Sequence, residues 1–275
     1  MINVLLDFAR IAGQIMLKEK AFSQALKQKD ATVESLVTNV DIQISNLFNE
    51  CIQKNFSNLN YMIIDEETIS QYQNNLFEAV KNSEYQFVID PIDGTIQYAL
   101  GHPLYGITIG VYKNAKPLLG LIYLPELQDL IYSDGNNAYH LQKAFSKDEV
   151  KTPLTKSETS DSPIIFGHSW IWNLSSQFSI QKAVFVDYYS AVSQSFYTLI
   201  GKAKAYCLYL HLWDIAGAIP IADCLGMKVF EYGSANVYDE ILPLYFTNNM
   251  WTQRPCILCH PCDLKEICDF IKPQI

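Results

Sequence analysis

The stretch that most constrains this fold is Val88-Ile89-Asp90-Pro91-Ile92-Asp93-Gly94-Thr95. An apolar strand, Gln86 to Ile89, runs into two aspartates three residues apart and then breaks at Gly-Thr. Two carboxylates held that close repel unless something neutralises them. The usual neutraliser is a divalent cation with hard oxygen ligands. Gly94-Thr95 adds backbone N–H groups and a hydroxyl, the donors that hold a phosphate. These residues point to metal-assisted phosphate chemistry at the end of a buried strand.

Charge narrows the partners. At a net charge of −9, binding to a nucleic-acid backbone is disfavoured. An anionic small molecule is admitted where metal ions invert the local charge. Seven cysteines, an odd count with no secretory signal, predict free thiols in a reducing, cytoplasmic compartment. Met1 to Lys20 is not read as a signal because Asp7 and Arg10 interrupt its apolar run. Val4, Leu5, Phe8, Ile11, Ala12, Ile15 and Met16 instead mark one face of an amphipathic helix. No run approaches the ~18 apolar residues of a membrane span.

Periodicity predicts a helix over 2–29, a polar loop from Lys27 to Leu36 and a helix from Asp41 to Lys54. Strands are expected at Tyr61–Ile64, Gln86–Ile89, Tyr105–Tyr112 and Leu118–Tyr123. Leu130–Tyr132 and Ala138–Leu141 flank an Asp-Gly-Asn-Asn hairpin turn. Lys151 to Pro163 reads as the connection between two halves, 1–150 and 151–275. Beyond it come strands at Ile164–Gly167 and Ala183–Val186, helices at Ser190–Lys202 and 214–225, and a strand at Ile257–Cys259. Pro220 should kink or break the second of those helices. Asp263 should cap a terminal helix reaching about Ile271. This mixture gives an α/β or α+β sandwich.

Five acidic positions sit at element boundaries beside apolar runs: Asp41, Glu66, Asp90, Asp93 and Asp214. Singly, each has an ordinary reading. Asp41 or Asp214 would be a helix cap, Glu66-Glu67 a solvated turn, and Asp-Pro-x-Asp-Gly-Thr a turn. Taken in order with Trp213-Asp214-Ile215-Ala216-Gly217-Ala218, they resemble the inositol monophosphatase family of metal-dependent phosphomonoesterases. Ala12-Gly13, Gly101-His102-Pro103, Ile107-Thr108-Ile109-Gly110 and Leu225-Gly226 fit the same pattern, so the resemblance covers most of the chain.

The resemblance implies a layered α-β-α-β-α sandwich of the inositol monophosphatase and fructose-1,6-bisphosphatase type. Its site lies between the N-terminal α+β half and the C-terminal α/β half. It implies metal ligation by Glu66, Asp90, Asp93, Asp214 and the Ile92 carbonyl, with Asp90 bridging two ions. Gly94 and Thr95 match the phosphate-binding pair. Asp41 matches the residue that orients the attacking water through Thr95, and Glu67 supports the ligands. The implied cofactor is Mg²⁺, two or three ions, with Li⁺ sensitivity. The implied reaction is hydrolysis of a small phosphomonoester by a metal-activated water, in a cytoplasmic homodimer with no membrane or nucleic-acid partner. Helix N-termini after Gly94 and Asp214 would point positive dipole ends at the phosphate.

The chain departs from the family's pattern at Gln97, where Asn is usual, at Met227, where a second Gly is usual, and at Ser35, where Asp is usual. The glutamate that reads inositol hydroxyls, seven residues before the Trp-Asp aspartate, is Cys207. A Gly-Ser pair is Tyr189-Ser190. These changes predict an apolar, aromatic substrate side built from Tyr188, Tyr189, Tyr206, Trp170 and Trp172. Inositol phosphate is then a poor match, and related substrates such as 3′-phosphoadenosine nucleotides, histidinol phosphate or fructose bisphosphate stay open. So does a phosphatase-like protein that binds without turnover.

Cys256-x-x-Cys259-His260-x-Cys262 invites a metal reading. On a strand, positions three apart face opposite sides, and a structural site wants four converging ligands. Buried thiols are the expectation there. His102, His140, His168 and His211 read as structural, with His211 a candidate for the pocket because it precedes Trp213-Asp214.

Overall fold

Alternating apolar residues along the strands set the layers. The computed structural model describes residues 1–20, 27–28, 36–37, 39–72, 75–168, 172–174 and 183–273. Helix α1 spans Ile2–Lys20, a two-stranded ladder joins β1 (Lys27–Gln28) to β2 (Leu36–Val37), and α2 spans Asn39–Phe56. A seven-stranded sheet follows in chain order: β3 (Tyr61–Asp65), β4 (Tyr85–Asp93), β5 (Gly106–Lys113), β6 (Lys116–Leu124), β7 (Asp129–Ser133), β8 (Ala138–Gln142) and β9 (Val150–Leu154). The β3–β4 pair is parallel, bridged by α3 (Leu76–Asn82), and the other neighbours are antiparallel. Helix α4 (Thr95–Leu100) lies between β4 and β5.

The second sheet has five strands in the order β12-β10-β13-β15-β14. These are β10 (Ile164–Gly167), β12 (Val184–Val186), β13 (Ala205–Leu208), β14 (Lys228–Glu231) and β15 (Cys256–Cys259). A short pair, β11 (Trp172–Leu174) with β16 (Ile271–Pro273), stands apart. The remaining helices are α5 (Ala191–Leu199), α6 (Leu212–Ile215), α7 (Ala218–Leu225) and α8 (Leu264–Phe270).

Three apolar clusters give five layers. Ile63, Phe87, Ile89, Ile109 and Leu121 pack on α1 and α2 through Leu5, Phe8, Ile44 and Phe48. Their strand neighbours Ile64, Val88 and Ile122 face the other way, onto α5, α6 and α7. The far side of those helices meets Phe166, Tyr206, Leu208 and Leu258 of the second sheet. The second sheet's outer face, with Ile165, Cys207 and Ile257, packs on Ile267 of α8. The order is therefore α-β-α-β-α, the expected sandwich. No helix among the described residues is long and apolar enough to cross a membrane.

Several expectations need correction. The first helix ends at Lys20, and Lys27–Gln28 and Leu36–Val37 pair as strands rather than continuing a helix or loop; Ser35 and most of that loop lie outside the described residues. Val150–Leu154 is an edge strand, not linker: Pro153 sits where one side of the backbone has no ladder partner, the place a sheet tolerates proline. Strands β13 and β14 were not expected. The helix at 214–225 is two helices separated at Ala216-Gly217. Pro220 lies in the first turn of α7, where its missing N–H has no intrahelical partner to lose. The Ala216 carbonyl, one turn back, accepts instead from the Tyr112 hydroxyl at 3.1 Å. Asp263 precedes α8 without capping it by its side chain. Its carboxylate accepts from the Ser160 N–H at 2.8 Å and from the Thr159 hydroxyl.

Candidate active site

Strand β3 ends on Asp65, which is fully buried. Asp65 accepts hydrogen bonds from the Ser45 hydroxyl of α2 and, at 3.0 Å, from the Glu67 N–H. These bonds pin the turn that follows, so Glu66 and Glu67 leave the sheet in a fixed direction. Glu66 as a residue keeps contact with solvent, while protein atoms crowd its carboxyl and the charges that act on it are Asp214, Glu67, Asp41 and Asp93. Asp41, in the first turn of α2, is only 4% exposed and closes the same cluster from the N-terminal layer.

The Asp90–Asp93 spacing works because β4 is irregular. Asp90 pairs with Thr108 and Asp93 with Gly106, so β4 spends two residues where β5 spends one. Pro91, with no N–H for the ladder, falls inside this bulge. Thr108 and Gly106 are two apart and share a face, so their partners Asp90 and Asp93 share it too. That face is the one covered by α5, α6 and α7, because the Thr108 hydroxyl accepts from the Gly217 N–H at 3.0 Å.

Asp214 reaches this face because two glycines let a backbone approach. Gly110 and Gly120 are paired across β5 and β6. A Cβ on Gly110 would lie 2.3 Å from the Ala216 carbonyl oxygen, and one on Gly120 would lie 2.1 Å from that of Gly217. The α6–α7 break therefore rests directly on the sheet. Asp214, just before the break, accepts from the His211 N–H at 2.9 Å.

Asp90, Asp93 and Asp214 each bring a carboxylate oxygen to within 4.8 Å of the other two. Asp90 and Asp93 are 2% and 5% exposed. One oxygen of Asp90, Oδ1, is buried with no hydrogen-bond partner among the described residues. Burial pushes the Asp90 carboxyl well above the usual range, and Glu66, Asp93, Asp214 and Asp41 push it further. Glu66 and Asp214 are raised in the same way, by burial first and then by neighbouring carboxylates. Burial raises Asp93 to about 6, against the pull of the Val192 N–H and the Ser190 hydroxyl. Among the described residues no lysine or arginine forms an ion pair with any of these four. An acidic cluster with an orphan carboxylate oxygen and only oxygen donors fits a hard divalent cation.

Gly94 has φ of 80°, and a Cβ there would meet the Leu104 carbonyl at 2.9 Å and the Ser190 hydroxyl at 3.1 Å. Only glycine fits this turn. Thr95 opens α4, and its hydroxyl donates to the Ile92 carbonyl at 3.1 Å. That contact occupies one lone pair of the Ile92 oxygen and leaves a second. No helix begins just after Asp214. It is the third residue of α6, and α7 starts four residues later, so the expected dipole from that side is not present.

Sequence reasoning missed the support of Asp93. Its Oδ1 accepts from the Val192 N–H at 2.9 Å and from the Ser190 hydroxyl at 3.1 Å, so the start of α5 grips it. The available signal was Ser190, which caps α5 through the Ser193 N–H. Also missed was a buried polar group beside the acids. His168, 8% exposed, lies 3.4 Å from Asp187 and 3.3 Å from the Tyr206 hydroxyl, close enough to act on Asp93.

The expected aromatic lining is only partly present. Tyr206 is fully buried, with Asp93 and Asp214 among its nearest charges. Cys207 faces the opposite side of β13, sealed in the outer core with Cys259. It does not line the cleft. Tyr188 packs inward on Phe166, with ring centroids 4.9 Å apart. Of the described members of this set, Tyr189 alone is open, 52% exposed and strained at φ of 51°. Gln97 donates to the Tyr188 carbonyl at 2.7 Å and ties α4 to that loop. Trp170 and the side chain of Trp172 lie outside the described residues. His211 is stacked on Trp213 at 4.3 Å, and burial holds its pKa down to about 4.

Known proteins resemble this chain in sequence and in fold. Protein qutG of Emericella nidulans is 27% identical over 169 residues, 60% of this chain and 50% of its own length. Nus factor SuhB of Haemophilus influenzae is 24% identical over 245 residues, 86% of this chain and 87% of its own. A solved structure of an IMPase/NADP phosphatase complexed with Mg²⁺ and phosphate superposes with a TM-score of 0.72 at 16% identity, covering 97% of this chain and 92% of that one. The model of the inositol monophosphatase family matches residues 1–254, which takes in all the acidic positions above. With that match and this layering together, the chain belongs to the inositol monophosphatase family.

Proposed function

We propose that this protein hydrolyses a small phosphomonoester with Mg²⁺ as its cofactor. The observation that carries the reading is the convergence of carboxylate oxygens of Asp90, Asp93 and Asp214 within 4.8 Å, together with an Asp90 oxygen that is buried and unpartnered among the described residues. Glu66, Asp90, Asp93, Asp214 and the Ile92 carbonyl would hold the cation. Bound Mg²⁺ supplies Lewis acidity toward phosphoryl oxygens and lowers the pKa of water. The chain does the rest. The start of α5 fixes Asp93, the α6–α7 break places Asp214, and Asp41 and Thr95 orient the attacking water. Gly94 and the first N–H groups of α4 receive the phosphate. Glu67 steadies the turn that presents Glu66. The half 1–150 would carry most ligands and 151–275 the substrate side.

No carboxylate reads polyol hydroxyls at Cys207, which is sealed away from the cleft. Tyr189, exposed and next to the Ser190 that holds Asp93, offers a ring face instead. The reading therefore favours a substrate with a planar group, such as a nucleotide or an imidazole phosphate, over inositol phosphate. The match to SuhB over most of both chains supports a second reading, partner binding with weak turnover.

The test is Mg²⁺-dependent phosphate release from inositol monophosphate, fructose 1,6-bisphosphate, 3′-phosphoadenosine 5′-phosphate, histidinol phosphate and an aryl phosphate. Asp93→Asn is the control. Turnover that the control abolishes supports hydrolysis, and the preferred substrate names the class. Mg²⁺ binding with no turnover on any substrate supports the binding reading. Absence of both refutes the metal site.

A further inference from the structure

A cavity lies away from the acidic cluster, at the C-terminal end of α5. It measures about 420 Å³ and is walled by the 154–162 segment, the end of α5 with residues 199–201, and Leu225, Met227 and His260. We propose that it binds a small unphosphorylated polyol or sugar, and that occupancy is relayed to Asp93 through α5.

The wall is built of hydrogen-bond acceptors. The Ser157 hydroxyl donates to the Thr159 carbonyl at 2.8 Å, Ser162 to the Lys202 carbonyl at 2.7 Å and Thr198 to the Gln194 carbonyl at 2.7 Å. Each hydroxyl has thereby spent its proton on the protein; Ser157 and Ser162 also accept from the Thr159 and Ile164 N–H groups, which leaves each one lone pair. No lysine or arginine lines the cavity, and Asp161 does. That wall repels phosphates and receives ligand hydroxyl protons. Leu154, Leu199 and Met227 supply an apolar side. A sugar ring presents this combination, a hydroxyl edge and a C–H face.

His260 lines the same wall, with the backbone carbonyls of Gly226 and Ser157 beside its ring. It is 6% exposed, and its Nδ1 has no hydrogen-bond partner among the described residues. Burial keeps the ring below the ordinary imidazole pKa, so it is neutral near pH 7 and carries one acceptor nitrogen.

The relay is one rigid element. Helix α5 has nine residues, about 13 Å of helix. Its first turn grips Asp93 through Val192 and Ser190. Thr198 and Leu199, at its other end, wall the cavity. A ligand that draws this end inward must shift or stiffen the grip on Asp93. Coupling of this kind is reciprocal.

The test is calorimetric titration of unphosphorylated hexoses and cyclic polyols, and of their phosphates, into the metal-free protein. Saturable binding of a polyol is expected, at least tenfold weaker for its phosphate. Thr155→Trp, at an exposed position on the cavity mouth, and His260→Phe should each weaken it at least tenfold. Thermal melts confirm that both variants are folded. Mg²⁺ affinity measured with and without the polyol should change severalfold, and polyol affinity should change by the same factor with Mg²⁺ present. No saturation by any polyol, equal binding of phosphates, binding that neither variant weakens, or saturation without the reciprocal shift each overturns the proposal. The relay arm rests on the Mg²⁺ reading. Should Mg²⁺ not bind at all, that reading fails, while the polyol and variant titrations still decide this one.

Discussion

Two motifs in this chain have the same spacing and opposite fates. Asp90-x-x-Asp93 and Cys256-x-x-Cys259 each place two ligand-type side chains three apart on a strand. Strand β15 is regular against both neighbours, so Cys256 faces the middle helical layer and Cys259 faces the outer core. Strand β4 is interrupted between its aspartates, so both turn to one face. The extra residue at Pro91-Ile92 is what separates a site from a pair of buried thiols. Spacing alone does not make a metal motif; the backbone must be broken to suit it.

The sharpest way to break this comparison is to neutralise one member of each pair. Asp90→Asn should cut phosphate release by at least ~10²-fold, while Cys256→Ser should leave kcat/KM unchanged. Without Mg²⁺, Asp90→Asn should also raise stability at pH 7.5 by about 1 kcal/mol or more, since it removes a buried charge from a repelling cluster. Urea melts in EDTA check this.

Next comes the support for Asp214. Gly120→Ala puts a methyl 2.1 Å from the Gly217 carbonyl oxygen. The expected cost is about 2–3 kcal/mol in stability, with reduced Mg²⁺ affinity as the α6–α7 break is pushed off the sheet. Calorimetry and chemical denaturation measure both. Retention of wild-type values would mean that the close approach does not position Asp214.

A comparable effect is expected from pH. Asp93 in the folded, metal-free protein titrates at about 6, above the 3.8 of an unperturbed aspartate. The folded state binds the extra proton between those values, so its stabilising contribution is full below about 4 and is lost as pH rises through 6. The loss from this group is roughly 2–3 kcal/mol. Asp90, Asp214 and Glu66 shift the same way and extend the loss upward. Mg²⁺ should therefore raise the melting temperature strongly at pH 7.5 and hardly at pH 5. Equal Mg²⁺ effects at both would contradict the cluster's electrostatics.

The chain itself showed much of this layout. Strands ending on Asp65-Glu66 and Asp90 were legible because an apolar run stops at a carboxylate. The five-layer sandwich followed from the family pattern. The grip of Ser190 and Val192 on Asp93 was not legible: nearly a hundred residues separate them, and one donor is a backbone N–H with no side-chain signature. Pro220 announced a break in the right helix, but the position was set by Gly110 and Gly120, which accept only the Ala216-Gly217 backbone above them. Cys207 looked like a pocket residue from its spacing to Trp213-Asp214. Strand alternation turned it away from the cleft and turned Tyr206 toward the acids.

The smallest expected effect is at Tyr189. Its φ of 51° suits glycine better than a ring-bearing residue. Tyr189→Gly should leave stability within about 1 kcal/mol of wild type or slightly raise it. It should raise KM for a planar substrate without changing kcat. An unchanged KM would remove the aromatic lip from the account.

The most direct test is a Mg²⁺ titration by calorimetry at pH 7.5. Wild type, Asp90→Asn, Asp214→Asn and Cys259→Ser are compared. The account predicts saturable binding to wild type and Cys259→Ser, and its loss in both aspartate variants. Absence of binding to wild type, or equal binding to Asp90→Asn, would contradict it.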